Sequence, residues 1–215
     1  MNTLPSNEEK NVNLPPEADP PLAEKRKNMP NALPIVKEPH PVLRSKARDI
    51  PIADIRSKKV QNLISAMKVT LKGTPDGVGL AAPQVGEGLR LFIVSDEAEE
   101  IDRIQAKRDR SEEGKPLAGA KPYPVRDWHY YVFINPQVTS KSRKKIDGHE
   151  GCLSVPNVFG NIKRQEKITV HAFDEHGKKF IRGASRFFAR VIQHELDHLE
   201  GMLFIDHATH LVKAE

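Results

Sequence analysis

The stretch His194-Glu195-Leu196-Asp197-His198 holds the residues with the clearest chemistry. Histidines four apart on a helix project from one side, so both imidazoles reach a single ion. Glu195 lies beside them, where a carboxylate addresses a water held near that ion. In a 215-residue chain with 9 histidines this pattern arises by chance roughly 3% of the time, so it needs support from its surroundings. A hydrolytic metal site also needs a third ligand and an open fourth position. One class of zinc proteases reads His-Glu-x-x-His-x-x-Gly-x-x-His. Gly201 fits that pattern, but Phe204 stands where the last histidine belongs. His207, His210, Glu200 and Asp206 remain as downstream donors, none at the protease spacing. Cys152 is the better third ligand. It stands in Glu150-Gly151-Cys152-Leu153-Ser154, a loop entered by Gly148 and Gly151 and left by Pro156. A thiolate with two imidazoles suits zinc or ferrous iron.

The histidines sit on a helix predicted over about 186–200, with Ser185 as cap and Gly201 as its end. One face carries Phe187, Val191, His194, Glu195 and His198; another carries Phe188, Ile192, Leu196 and Leu199. A helix apolar on two faces is central and buried, and polar groups on it need partners. A second helix is predicted over 55–72, with Val60, Leu63, Ile64, Met67 and Leu71 on one face, Asp54 as cap and Gly73 at its end. Thr74 to Gly77 form a turn. Strands are expected at 90–95 and 130–134, a hairpin over 167–183 turning at Asp174-Glu175-His176-Gly177, and a short strand at 202–205. Separate hairpins and isolated helices indicate an α+β fold, with antiparallel or mixed sheets packed around the helix bearing His194 and His198.

Residues 1–31 read as a disordered or extended arm: nine of the 17 prolines lie in the first 41 residues. Residues 96–127 read as an inserted loop, half of it charged, in which Asp96 to Arg110 is compatible with a short exposed helix. No apolar run approaches the roughly 20 residues that span a bilayer. The N-terminus has no apolar signal core and carries Glu8, Glu9, Glu17 and Asp19, so a cytoplasmic location is expected. A lone cysteine excludes an intramolecular disulfide. The net charge of +5 is a modest basic excess that permits, but does not require, contact with RNA. Gly77-Val78-Gly79-Leu80-Ala81-Ala82-Pro83-Gln84 lets another backbone approach closely, and it lacks the third glycine of a dinucleotide fingerprint.

Gly77 to Gln84, Glu150 to Ser154 and His194 to His198 stand in the order of the three motifs of the peptide deformylases, which the chain resembles over about residues 32–207. The resemblance implies a catalytic domain over 32–210 and a metallo-amidohydrolase that removes the formyl group from formyl-methionine at the start of nascent polypeptides, releasing formate. It implies that Cys152, His194 and His198 hold one divalent metal, ferrous iron in the cell, with zinc, nickel or cobalt as alternatives. It implies Glu195 as the base, with the Gln84 amide and the Leu153 N–H on the oxyanion. Val78, Phe187 and Val191 would line the methionine pocket. Gly77, Gly79 and Leu80 would let the peptide lie as an added strand, with Glu150 and Gly151 completing the pocket. Partners are formyl-methionyl chains and, transiently, the ribosome; DNA and membranes are not expected. Three departures stand out. Ile162-Lys163-Arg164 replaces a usual Val-Pro-Arg, Phe159 replaces a polar or basic residue of some members, and the segment after Ile205 is short for a ribosome-docking helix. A zinc endoprotease leaves Cys152 and Gln84 unexplained, and a non-enzymatic RNA-binding module leaves Glu195 without a purpose.

Overall fold

Strand β2 (Leu91–Ser95) is buried along its whole length. Successive side chains of a strand point to opposite faces, so a strand buried at every position must lie between two cores. Phe92 and Val94 enter one core cluster; Leu91 and Ile93 enter another. The computed structural model describes residues 31–74, 77–108 and 129–214. Within them β2 pairs with β1 (Gly79–Ala81) and with β3 (Tyr130–Lys141), and β8 (Lys167–Phe173) and β9 (Lys179–Ser185) complete an antiparallel five-stranded sheet in the order β1-β2-β3-β8-β9. Helix α1 (Lys58–Lys72) supplies Val60, Ile64, Met67 and Leu71 to the core on one face. Helix α3 (Arg186–Leu199) supplies Phe188, Val191, Ile192 and Leu199 to the core on the other. A second sheet is built from β5 (His149–Cys152), β6 (Val155–Asn161) and β10 (Thr209–Lys213), and a small ladder pairs β4 (Lys145–Ile146) with β7 (Arg164–Gln165). The fold is α+β, with antiparallel sheets packed around α3.

Four local expectations change. Helix α1 starts at Lys58, and its cap is Ser57, whose hydroxyl accepts the Val60 N–H at 3.4 Å, not Asp54. Ile55 is fully buried, so the chain turns through a short 3-10 turn at Ile52–Asp54 to seat it before the helix begins. The segment after β2 is a packed helix, α2 (Glu97–Arg108), with Ala98 fully buried. Residues 202–205 form no strand. Phe204–Asp206 make a 3-10 turn, because the Asp206 carboxylate accepts the Leu203 N–H at 2.8 Å and Phe204 is drawn into a third small core. The following residues add β10 to β6, a strand without a sequence signal because its side chains are all exposed. The expected arm up to residue 30, the middle of the turn at 75–76 and the insertion from 109 to 127 lie outside the described residues.

Candidate metal centre

Helix α3 carries the two histidines because its apolar faces lock it between the main sheet and the β4–β7 side of the molecule. Its first turn is not held by Ser185, whose side chain makes no cap bond. Asp102 of α2 does this instead, accepting the N–H of Phe187 at 2.9 Å and of Phe188 at 3.0 Å. Two turns on, the rings of His194 and His198 lie 5.0 Å apart between centroids. The end of β5 brings Cys152 to them: its Sγ is 3.2 Å from His198 Nε2, and one ligand atom of each of the three residues lies within 4.8 Å of the others. Bonds of roughly 2.0–2.3 Å to one ion need donors at about this separation. Burial opposes charge on Cys152 and His194, yet the nearby histidines hold the Cys152 thiol well below its ordinary value. The thiolate and Glu150, in turn, hold His194 well above its own. A set that stabilises a thiolate so strongly favours a cation in place of protons.

The sulfur also receives the Ser154 N–H at 3.4 Å and the Gln84 Nε2–H at 3.5 Å. Gln84 sits in a 3-10 turn at Ala82–Val85 and is 1% exposed. Its Oε1 accepts the Ala81 N–H at 2.8 Å, which turns the amide NH2 towards the site. Leu153 and Ser154 form the turn between β5 and β6, and Lys37 Nζ donates to the Leu153 carbonyl. At the first inner position of such a turn the N–H is not consumed by the turn's own bond.

Glu150 is expected from the sequence to line the substrate pocket, and the structure shows what its carboxylate does there. Its carboxylate points inward and accepts two bonds from Arg164, each at 2.9 Å, one from Arg190 at 2.9 Å, and makes one with His194 Nδ1 at 3.0 Å. Burial pushes Glu150 up, but Arg164 and His194 outweigh it and hold its pKa down at about 2. Arg164 also bonds Asp197 at 2.5 Å. Arg190 fits because Gly148 has no side chain: a Cβ there would lie 2.8 Å from its Cζ. Glu150 therefore orients His194, leaving Nε2 for an ion.

Glu195 is 3% exposed, and its Oε2 has no hydrogen-bond partner among the described residues. Burial raises its pKa to about 7, against the pull of the two histidines. Gly79 of β1 faces it: a Cβ at Gly79 would lie 2.9 Å from Glu195 Cδ and 3.0 Å from Val191 Cγ1. Val78 and Phe187, both partly buried, pack against the cluster that holds Val191. Leu80 turns its side chain into the opposite core with α1, so only its backbone belongs to the β1 edge. Gly77 precedes that edge, and Gly151 is exposed beside Cys152. Phe204 is 1% exposed, and its ring lies 6.2 Å from that of His194, filling space instead of ligating.

Sequence reasoning missed Arg190 and Asp102. Arg190 had a signal: an arginine four residues before His194 on a buried helix needs an anion. Asp102 had none, since its target is 85 residues away.

The chain matches the family model described as polypeptide deformylase over residues 32–214. A peptide deformylase of Pseudothermotoga lettingae is 38% identical over 166 residues, 77% of each chain. Among solved structures, a plant peptide deformylase is similar at 33% identity and a TM-score of 0.65, covering 83% of this chain and 81% of that one. A class I type b peptide deformylase from Acinetobacter baumannii is similar at 30% identity and a TM-score of 0.65, covering 82% of this chain and 98% of that one. With its three motifs folded into one site and this likeness over most of its length, the chain belongs to the polypeptide deformylase family.

Proposed function

We propose that this chain hydrolyses the formyl amide of formyl-methionyl peptides, giving formate and a free amino terminus. The observation that carries the reading is the convergence of Cys152, His194 and His198 donors within 4.8 Å, next to a buried Glu195 with an unpartnered oxygen. A divalent cation held by the three donors, ferrous iron in the cell and zinc, nickel or cobalt as substitutes, supplies Lewis acidity to the formyl oxygen and to water. The chain does the rest. Glu195 takes the proton of the attacking water and passes it to the leaving amine as the C–N bond breaks. Gln84, its amide held by Ala81, and the Leu153 N–H donate to the oxygen on which charge develops. The methionine side chain lies among Val78, Phe187 and Val191. The peptide extends along β1, an edge strand of the main sheet, past Gly77, Gly79 and the Leu80 backbone and beside Gly151.

Such substrates are chains leaving the ribosome, so the place of action is the cytoplasm, with transient ribosome contact. No helix of the described residues is long and apolar enough to cross a membrane. The test is formate release from formyl-Met-Ala by enzyme purified without air, beside an unformylated peptide with internal bonds. The reading expects formate and intact internal bonds; internal cleavage without formate contradicts it.

A further inference from the structure

The charged insertion after β2 reaches the helix that carries the metal donors. The first N–H groups of a helix have no intrahelical partner, and in α3 those of Phe187 and Phe188 are both taken by the Asp102 carboxylate. The chain enters α3 through Arg186 at φ 51°, a left-handed conformation that its own side chain does not favour. The first turn of α3 is thus held from outside. Helix α2 is itself anchored. Glu99 accepts the Tyr131 hydroxyl at 2.7 Å and pairs with Arg182. The Arg182 guanidinium lies 4.6 Å from the centre of the Tyr131 ring and 5.4 Å from that of Phe188. Phe187, whose N–H Asp102 accepts, packs against the same cluster as Val78 and Val191.

We propose that Asp102 is a positioning residue for deformylation: by fixing the first turn of α3 it sets the Phe187 wall of the methionine pocket. The inference rests on the reading of Val78, Phe187 and Val191 as that pocket. A cap that served stability alone would not touch selectivity. The two roles therefore separate in the preference for formyl-Met-Ala over formyl-Ala-Ala, measured as the ratio of kcat/KM values.

The experiment compares the full chain with D102A, D102N, F187A and the D102A/F187A double variant, each checked for metal content and melting temperature. D102A is expected to keep its metal, to raise KM for formyl-Met-Ala about tenfold with little change in kcat, and to lower the preference by a similar factor. D102N keeps an acceptor oxygen and falls between D102A and the parent. Once Phe187 is truncated, removing Asp102 changes the preference no further. The proposal is overturned if D102A melts lower but keeps the parent preference, or if the two single losses multiply in the double variant. Should D102A not fold, D102N is read by the same criteria: an unchanged preference overturns the proposal. A parent chain that releases no formate contradicts the deformylase reading itself, whereas a parent that releases formate with a preference indifferent to Asp102 contradicts only the role of Asp102.

Discussion

Glu150 sits where two buried cations meet. Arg164 and Arg190 bring two positive charges, Glu150 and Asp197 bring two negative ones, and the Glu150 side chain is only 5% exposed. Removing one member of such a group leaves charge buried without compensation, which costs about 3–5 kcal/mol. Glu150→Gln is therefore expected to lower stability by roughly that amount, read from urea unfolding. It should also weaken metal affinity about 10–100-fold by freeing the His194 ring, read by chelator competition. Unchanged affinity would mean that the ring is held by its packing against Phe204. At this scale the sequence was legible where type and spacing are local: His194, Glu195 and His198 share one helix face, whereas the loop expected around Cys152 is the end of strand β5 with a turn after it. It was not legible where a residue's meaning depends on a distant partner. The ion pairs of Glu150 were hidden because nothing near it in the chain reveals Arg164 or Arg190 as its partners.

Strand β1 brings its backbone against α3, and the contact leaves no space for a side chain at Gly79. In Gly79→Ala the new methyl group must displace the Glu195 carboxylate and Val191. Overpacking of this kind costs about 1–3 kcal/mol. The displaced base should lower kcat by one to two orders of magnitude, roughly the share a proton-transfer group contributes. The measurement is kcat for formate release beside the melting temperature; a lower melting temperature with parental kcat would free Gly79 from the site. Elements with strong local patterns were legible: β2, the first five residues of β3, the β8–β9 hairpin and α3. The start of α1 was not: the apolar face repeats only from Val60 onward, and Ile55 is spent on the core before the helix begins. The packed side of α2 was masked by its charge, since acids such as Glu99 and Asp102 have their partners on other elements.

Across the whole molecule, the first described segment and the last are tied together. Arg44 bonds Glu38 at 3.0 Å and Asp206 at 2.6 Å. Burial pushes Asp206 up, but the Leu203 N–H and Arg44 outweigh it and hold its carboxyl below the ordinary value of 3.8. A depressed carboxylate contributes stability above its unfolded pKa and loses it as the pH falls through the folded one. Because the pair is about a third exposed, its worth at neutral pH is about 1 kcal/mol or less. Asp206→Asn is expected to be less stable than the parent at pH 7, with the gap closing below about pH 4 in urea unfolding series. A gap independent of pH would assign the loss to packing of the turn. The closure of the fold by β10 was not legible, as an exposed strand of mixed residues carries no apolar alternation.

The central claim is that Glu195 moves the proton at a metal site made by Cys152, His194 and His198. The direct measurement is formate release from formyl-Met-Ala by Glu195→Gln, with metal content determined on the same sample. Glu195 is outside the donor set, so the account predicts full metal content and a kcat lower by about 10²–10⁴. Full metal content with parental kcat would contradict it.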